Sequence, residues 1–231
     1  MLARSAMSAI LTFEEAGLTQ EDICLFAARQ GWLNASNIHF ALRRLEHRLG
    51  LPKKIMLMDP ILQSFMRSQM EDADEVSDFL AGIEFAARDW LILPCNDATS
   101  ARGGGSHWSL LAFHIASNRA LHLDSSAGHN NSEAAKSLAS ILSSLSSHPP
   151  ALVQDLEAPV QRDGSSCGVF SCMFAEFLAS KLSHHQQPDF DIFAPAKWLE
   201  ELCAVVSQDS VGVWREAVVA DIERLCAERE R

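Results

Sequence analysis

Apolar residues recur at helical spacing toward both ends of the chain, whereas short apolar runs fill its middle. The helical spacing predicts helices at 19–31, 36–50, 61–70, 73–81, 132–145, 167–182, 195–206 and 211–228. The short runs predict strands at 55–58, 90–94, 108–115, 120–124 and 151–153. Helices that come first and last around a cluster of strands indicate an α+β fold rather than a regularly alternating α/β fold.

Polar residues, proline and glycine mark several of the predicted helix ends. Thr19 followed by Asp22 resembles a capping box, and Gly50 is a typical residue just past a helix end. Pro60 suits the first position of a helix, where its missing N–H costs nothing. These signals support the boundaries that the apolar spacing predicts.

The composition predicts a folded chain with one main domain. The chain has 231 residues, of which 48% are hydrophobic and 21% charged. We expect residues 1–17 to form a loosely packed arm and residues 18–231 a single, monomeric domain. The formal net charge of -11 argues against a general nucleic-acid binder, which would carry a basic surface.

Targeting and cysteine patterns narrow the class of protein further. Glu14 and Glu15 interrupt the N-terminal apolar run, so a signal peptide is not expected, and no stretch reaches the roughly 20 apolar residues of a membrane span. The cysteines form no CxxC pair, which gives no indication of a metal site, a disulfide framework or another cofactor. This usage predicts a reducing compartment, the cytoplasm and/or the nucleus.

One cysteine stands where a nucleophile is expected. Cys167 begins an apolar helical pattern, directly after the cap-type residues Asp163, Ser165 and Ser166. The start of a helix presents unpaired N–H groups and the positive end of its dipole, and both favour a thiolate. The alternative is a buried, inert cysteine of the core, and this stretch alone leaves both open.

Three polar residues could complete a cysteine hydrolase. His107, at the start of a predicted strand, could act as base, and Asp124, at the end of the next strand, could orient it. Gln161 precedes Cys167 by six positions and could donate to an oxyanion. Each also has an ordinary alternative, as a surface histidine, a turn aspartate and a loop glutamine.

The distance between His107 and Asp124 depends on the hairpin that joins their strands. A tight turn at Ser117-Asn118 would place Asp124 opposite Leu111, about 13 Å from His107 at ~3.4 Å per residue. The two side chains can meet only if the turn lies earlier or if the register is shifted, bulged or strongly twisted. The sequence leaves these possibilities open.

Taken together, these residues resemble the Ulp/sentrin-specific protease family of cysteine proteases, which cleave ubiquitin-like modifiers. The resemblance rests on four short stretches and covers residues 18 to 182. They are Gln30-Gly31-Trp32-Leu33-Asn34, Ser106-His107-Trp108-Ser109-Leu110-Leu111, Leu123-Asp124-Ser125 and Val160-Gln161 with Cys167-Gly168. It implies a papain-like, adenain-type fold with a mostly antiparallel central sheet flanked by helices.

The resemblance also implies a role for each matching residue. Cys167 would be the nucleophile, His107 the base, Asp124 its orienter and Gln161 the oxyanion donor. A second set would bind the modifier's extended Gly-Gly tail, with the two indoles on either side and the glycine run 103–105 as a hinged loop. That substrate-binding set is Trp32, Asn34, Gly105, Trp108 and Gly168.

Within the family, Cys95-Asn96-Asp97 and the glycine-rich segment are similar to the deneddylase branch. The implied partners are the neddylation modifier and its conjugates, such as modified cullins. Two positions depart from the family pattern, since Ala35 and Ser166 stand where aspartates are usual. A protease for SUMO or ubiquitin, a non-catalytic modifier-binding module and, more distantly, a transferase on the same scaffold remain alternatives.

Overall fold

A five-stranded sheet forms the centre of the molecule in the computed structural model, which describes residues 9–69, 73–98, 105–128, 131–144, 149–183 and 191–229. The strands are β1 Leu11–Phe13, β2 Ala16–Leu18, β3 Ile55–Leu57, β4 Trp90–Asn96, β5 Trp108–His114, β6 Arg119–Leu123 and β7 Leu152–Leu156. The helices are α1 Gln20–Ala27, α2 Ala35–Leu49, α3 Pro60–Gln69, α4 Ala73–Gly82, α5 Ser132–Ser144, α6 Cys167–Ser183, α7 Leu199–Val205 and α8 Ser210–Arg229. Short 3-10 turns occupy Phe85–Ala87 and Pro195–Lys197.

The central sheet is mixed. Its strand order is β3-β4-β5-β6-β7, with β4, β5 and β6 antiparallel and with a parallel pairing at each edge. The α+β class and the helix-flanked central sheet are therefore confirmed, and the sheet is antiparallel at its centre but has a parallel pairing at each edge. The reason is that helices connect β3 to β4 and β6 to β7, and such crossovers return the chain parallel to the strand it left.

Alternating side chains of the sheet pack on two helical layers. On one face, Leu110, Ala112 and Leu121 join the core of α6 and α2. On the other face, Leu111 and Phe113 pack with α5. Helix α6 is buried along most of its length, as expected for a helix that is apolar nearly all round. The N-terminus of α6 is thereby fixed against the sheet.

Residues 11–18 differ from the loosely packed arm expected there. They form the β1-β2 hairpin, and Leu11, Ala16 and Leu18 are buried in the main core. Strands of three residues are too short for alternation to be recognised in a sequence, and this explains the difference. Residues 1–8 of the expected arm lie outside the described residues.

The helix caps follow the sequence signals closely. Thr19 and Asp22 make the predicted capping box of α1, and Gly50 ends α2 in the left-handed conformation. Helix α2 begins one or two residues earlier than expected, because Asn34 caps it by accepting a hydrogen bond from the Asn37 N–H. In the described ranges no helix is long and apolar enough to cross a membrane.

The C-terminal helices belong to the same core. Leu202, Val206, Val211 and Ile222 join the cluster that includes α6. Helix α8 packs against both α1 and α6. The hydrophobic core of the described residues therefore includes these helices and extends to the β1-β2 hairpin.

Candidate active site

Cys167 is the first residue of α6, and its N-terminal turn is organised by Asp163. One oxygen of the Asp163 carboxylate accepts from the N–H groups of Ser165 and Ser166, at 2.9 and 2.8 Å. The other accepts from the Ser166 hydroxyl at 2.7 Å. Cys167 itself is 4% exposed, so this cap holds a nearly buried thiol at the positive end of the helix.

His107 and Asp124 are in direct contact. His107 Nε2 lies 2.5 Å from Asp124 Oδ1, and both side chains are buried. Asp124 also accepts from the backbone N–H groups of Ser126 and Asn131, at 2.8 and 3.1 Å. Burial alone would raise the pKa of Asp124, but these hydrogen bonds and the charge of His107 lower it below its ordinary value.

The hairpin register explains how the two residues meet. The loop between β5 and β6 occupies residues 115–118, so that His114 pairs with Arg119 and Leu110 with Leu123. Continuing this register places Asp124 opposite Ser109, two positions from His107. The turn therefore lies earlier than the tight turn considered from the sequence, and the remaining gap is short enough for the side chains to span.

His107 also reaches the thiol. Nε2 pairs with Asp124, and the Cys167 side chain is close enough to the imidazole to contribute to its pKa. Burial disfavours the charged ring, yet the hydrogen bonds and charges of Asp124 and Cys167 raise the pKa of His107 from 6.5 to about 9. The protonated imidazole is therefore favoured beside Cys167 at neutral pH.

The backbone of His107 is fixed by the preceding strand and loop. Its N–H donates to Asp97 at 2.9 Å, and its carbonyl accepts from the side-chain amides of Asn96 and Asn131 at 3.1 and 3.2 Å. A Cβ on Gly105 would lie 1.6 Å from Asn96 Oδ1, so a glycine is needed for this close approach. Gly103 and Gly104 of the predicted hinge lie outside the described residues.

Gln161 lies beside the capped turn. Its Oε1 accepts from the Ser125 hydroxyl at 2.7 Å, and its Nε2 donates to the Asp163 carbonyl at 2.7 Å. The Gln161 N–H also donates to the Ser125 carbonyl at 2.9 Å. Ser125 follows Asp124 directly, so a single short segment orients both the base and the amide. One N–H of the amide has no partner in the ranges described above and is suited to an oxyanion.

Both tryptophans lie against this end of α6. Trp32 is 46% exposed, and its indole N–H donates to the Gly164 carbonyl at 2.5 Å. The Trp108 indole donates to the Leu33 carbonyl at 3.0 Å. A Cβ on Gly168 would lie 3.0 Å from Leu33 Cβ and 3.5 Å from Trp108 Cδ1, so this glycine permits close packing there.

Asn34 has a mainly structural setting. Its Oδ1 accepts from the Asn37 N–H at 3.0 Å, and its Nδ2 donates to Asp22 at 2.6 Å. The structure thus engages the oxygen of the amide in capping α2 and its nitrogen in a bond to α1. A contact between Asn34 and a modifier remains a prediction.

Sequence reasoning missed several supporting residues. Ser125 donates a hydrogen bond to Gln161, and Asn131 donates one to the backbone of His107. The sequence assigned no role to Ser125, although it follows Asp124 in one of the matching stretches, and Asn131 belongs to no motif. The adjacency of Ser125 to Asp124 is the one sequence signal that points to it. Asn131 could be found only from the fold, since it lies 24 positions from His107.

This arrangement defines a class of enzyme. A thiol at a helix start, a histidine that pairs with a buried aspartate and interacts with the thiol, and a glutamine amide beside them make up a papain-like cysteine hydrolase site. No cluster of three or more His, Cys, Asp or Glu side chains suited to a metal ion occurs among the described residues.

The comparisons give the family. Residues 31–201 match the family described as "Ulp1 protease family, C-terminal catalytic domain". The match spans most of the chain, so the chain belongs to the Ulp1 protease family and is a cysteine protease that acts on ubiquitin-like modifiers. The resemblance and the enzyme class expected from the sequence are thereby confirmed.

Relatives of similar sequence agree with this assignment, and a solved structure shows a similar fold. NEDD8-specific protease 1 of Arabidopsis thaliana is 28% identical over 221 residues, which cover 95% of this chain and 94% of that protein. Sentrin-specific protease 8 of Mus musculus is 24% identical over 212 residues, which cover 90% and 91%. The crystal structure of a de-sumoylating protease has a TM-score of 0.64 at 12% identity, and the match covers 96% of this chain and 92% of that one.

Proposed function

We propose that this protease is a deneddylase, which hydrolyses the peptide or isopeptide bond after the C-terminal Gly-Gly of NEDD8. The observation that carries the choice of modifier is the match to a NEDD8-specific protease over nearly the whole length of both chains. The substrates would be NEDD8 conjugates, such as modified cullins, and the NEDD8 precursor. The similar structures of SUMO proteases support the fold alone, because their identity to this chain is low.

The geometry supports a specific sequence of steps. The Cys167 thiolate attacks the carbonyl carbon of the terminal glycine, and the carbonyl oxygen becomes an oxyanion. The Gln161 amide and the N–H groups at the start of α6 stabilise that oxyanion. The imidazolium of His107 then donates its proton to the departing amine, and a thioester between the modifier and Cys167 remains.

Water completes the cycle. His107, now neutral, takes a proton from a water molecule, which attacks the thioester carbonyl. The C–S bond breaks, the modifier leaves as a carboxylic acid that loses its remaining proton to solvent, and the thiolate–imidazolium pair is restored. Asp124 holds the ring in place throughout, because its carboxylate is fixed by two backbone N–H groups as well as by His107.

Selectivity for the tail follows from the tryptophans in this proposal. Trp32 is half exposed beside the turn that precedes Cys167, and Trp108 lies against Leu33 and Gly168 at the same helix end. An extended Gly-Gly segment has no side chains and could pass between two indoles, whereas a bulkier residue would clash. The tail would thus reach Cys167 only if its last residues are glycines.

A panel of fluorogenic modifiers tests the proposal. Each of NEDD8, SUMO and ubiquitin carries the same fluorophore on its C-terminal glycine, and kcat/KM is measured for each. We expect NEDD8 to be preferred by on the order of 100-fold or more, which corresponds to about 2.7 kcal/mol. A matched NEDD8 probe with alanine as its penultimate residue should be a poor substrate.

The same panel distinguishes the alternatives. A preference for SUMO or ubiquitin would keep the mechanism and refute the choice of modifier. Binding of NEDD8 without release of the fluorophore would indicate a modifier-binding module and would contradict the mechanism. Restoring the family aspartate, as Ala35→Asp, should change KM rather than kcat, because residue 35 lies at the start of α2 and outside the reacting groups.

A further inference from the structure

The loop between α7 and α8 contacts the residues that precede Cys167. Gln208 lies in this loop, 45 positions away from Asp163 in sequence. Its Oε1 accepts from the Arg162 N–H at 2.7 Å, and its Nε2 donates to Asp163 Oδ2 at 2.7 Å. A single side-chain amide thus holds two consecutive residues of the segment 161–166, which we call the catalytic turn.

Asp163 connects this contact to the reacting groups. Its carboxylate caps the start of α6 through Ser165 and Ser166, and its carbonyl accepts from Gln161 Nε2. Gln208 therefore bonds both the residue that follows Gln161 and the carboxylate that caps α6. The position of Asp163 therefore determines both the position of the Gln161 amide and the cap of α6. A shift of Asp163 would move the Gln161 N–H away from the oxyanion that it stabilises.

Helix α8 also fixes the segment that carries Trp32, through hydrogen bonds from Arg215. Arg215 is 4% exposed and donates to the carbonyls of Leu25 and Gly31, at 2.8 and 2.5 Å. Gly31 directly precedes Trp32, whose indole donates to Gly164 in the catalytic turn. The C-terminal segment therefore fastens both the catalytic turn and the chain that carries Trp32.

We propose that Gln208 is a positioning residue for oxyanion stabilisation, through its hydrogen bonds to Arg162 and Asp163. The inference rests on the proposed roles of Gln161 and Cys167. It assigns the C-terminal helices a part in turnover, beyond their contribution to the core. Ser166, which stands where the family has an aspartate, bonds to Asp163, so the carboxylate that organises the turn is supplied four residues before the nucleophile.

Substitution of Gln208 tests this role, with Asp209 as a matched control. Asp209 lies in the same loop and pairs with Arg162 at 2.5 Å, but both side chains of that pair are largely exposed, so Asp209→Asn should change little. Gln208→Ala removes both bonds to the turn. Gln208→Glu keeps the acceptor for Arg162 but places a second carboxylate against Asp163, which like charges disfavour.

We expect kcat for the preferred modifier probe to fall about tenfold in Gln208→Ala, and further in Gln208→Glu. KM, the rate of Cys167 alkylation by iodoacetamide and the unfolding midpoint should stay close to wild type, since alkylation forms no oxyanion. Asp209→Asn should match wild type in all four measurements.

Two results would overturn the inference. In the first, kcat of both Gln208 variants equals that of Asp209→Asn. In the second, kcat, alkylation and the unfolding midpoint fall together, which would mean that Gln208 only supports the fold. A wild-type protein that releases no fluorophore from any probe would refute the proposed function instead, and the inference with it.

Discussion

Replacing Asp124 by asparagine removes one charge from the centre of the site and almost no volume. The carboxylate accepts from His107 Nε2 at 2.5 Å and from the backbone N–H groups of Ser126 and Asn131 at 2.8 and 3.1 Å. All of these partners face it as donors. An asparagine NH₂ group must therefore point at a donor in either orientation of the amide, so the substitution loses the charge and at least one hydrogen bond.

The size of the effect follows from the pKa of His107. Burial opposes the charged ring, but Asp124 and Cys167 raise the pKa from 6.5 to about 9. At about 1.4 kcal/mol per pKa unit, the rise from 6.5 to about 9 corresponds to at most about 3.5 kcal/mol. Asp124 supplies the first of the raising contributions, so we expect kcat/KM to fall by on the order of 100-fold.

The pH dependence gives a second measure of the same change. A histidine whose pKa is raised on folding contributes its stabilising interaction below about pH 6.5, and this contribution is lost as the pH rises through about 9. The activity of the wild type should therefore fall on the alkaline side near pH 9. In Asp124→Asn the pKa of His107 falls, so this alkaline limb should move to lower pH.

The assay is hydrolysis of the fluorogenic modifier from pH 5 to 10, with the unfolding midpoint measured in parallel. Asp155→Asn is the matched control, because Asp155 pairs with His122 in the same sheet at 2.7 Å and takes no part in the proposed chemistry. It should retain activity within about threefold. Asp124→Asn with a rate within threefold of wild type and an unmoved alkaline limb would refute the reasoning.

Three further substitutions test the surroundings of the site. Ser125→Ala removes the 2.7 Å hydrogen bond that orients Gln161, so kcat should fall about tenfold with KM unchanged; steady-state kinetics with an unchanged kcat would contradict this. Trp32→Ala should lower kcat/KM for the modifier by about tenfold or more. The unfolding midpoint should hardly change, because the side chain is 46% exposed. A large loss of stability would instead assign Trp32 to packing. Gly31→Ala places a Cβ 2.1 Å from the Leu25 carbonyl oxygen and should cost about 1–3 kcal/mol in urea unfolding. Gly212→Ala, where nothing lies within 4 Å of the added Cβ, is its control and should be neutral or stabilising.

Much of the fold could be predicted because its helices are long and their apolar faces regular. The start of α6 at Cys167 and the cap of α1 at Thr19 follow from local chemistry, which the sequence displays directly. Parallel pairing of β6 with β7 could not be predicted in this way, since it depends on where α5 packs. The same holds for the β1-β2 hairpin, whose three-residue strands carry too little pattern.

The candidate site, like the fold, could be predicted only in part from the sequence. The order and spacing of His107, Asp124, Gln161 and Cys167 along the chain are enough to indicate a cysteine protease. The contact between His107 and Asp124 depends on a hairpin loop of four residues instead of two. The length of that loop cannot be derived from the strands that flank it. The roles of Gln208 and Asn131 could not be predicted from the sequence either, because each residue contacts a segment that is distant in sequence through one polar side chain.

The central claim is that Cys167 forms a covalent bond to the C-terminus of the modifier. The direct measurement is intact-protein and peptide mass spectrometry after reaction with NEDD8 that carries a C-terminal vinyl electrophile. We predict one adduct per chain, on Cys167, and none in Cys167→Ala, which should still bind the unreactive modifier. An adduct on another cysteine, or one that persists in Cys167→Ala, would contradict the account.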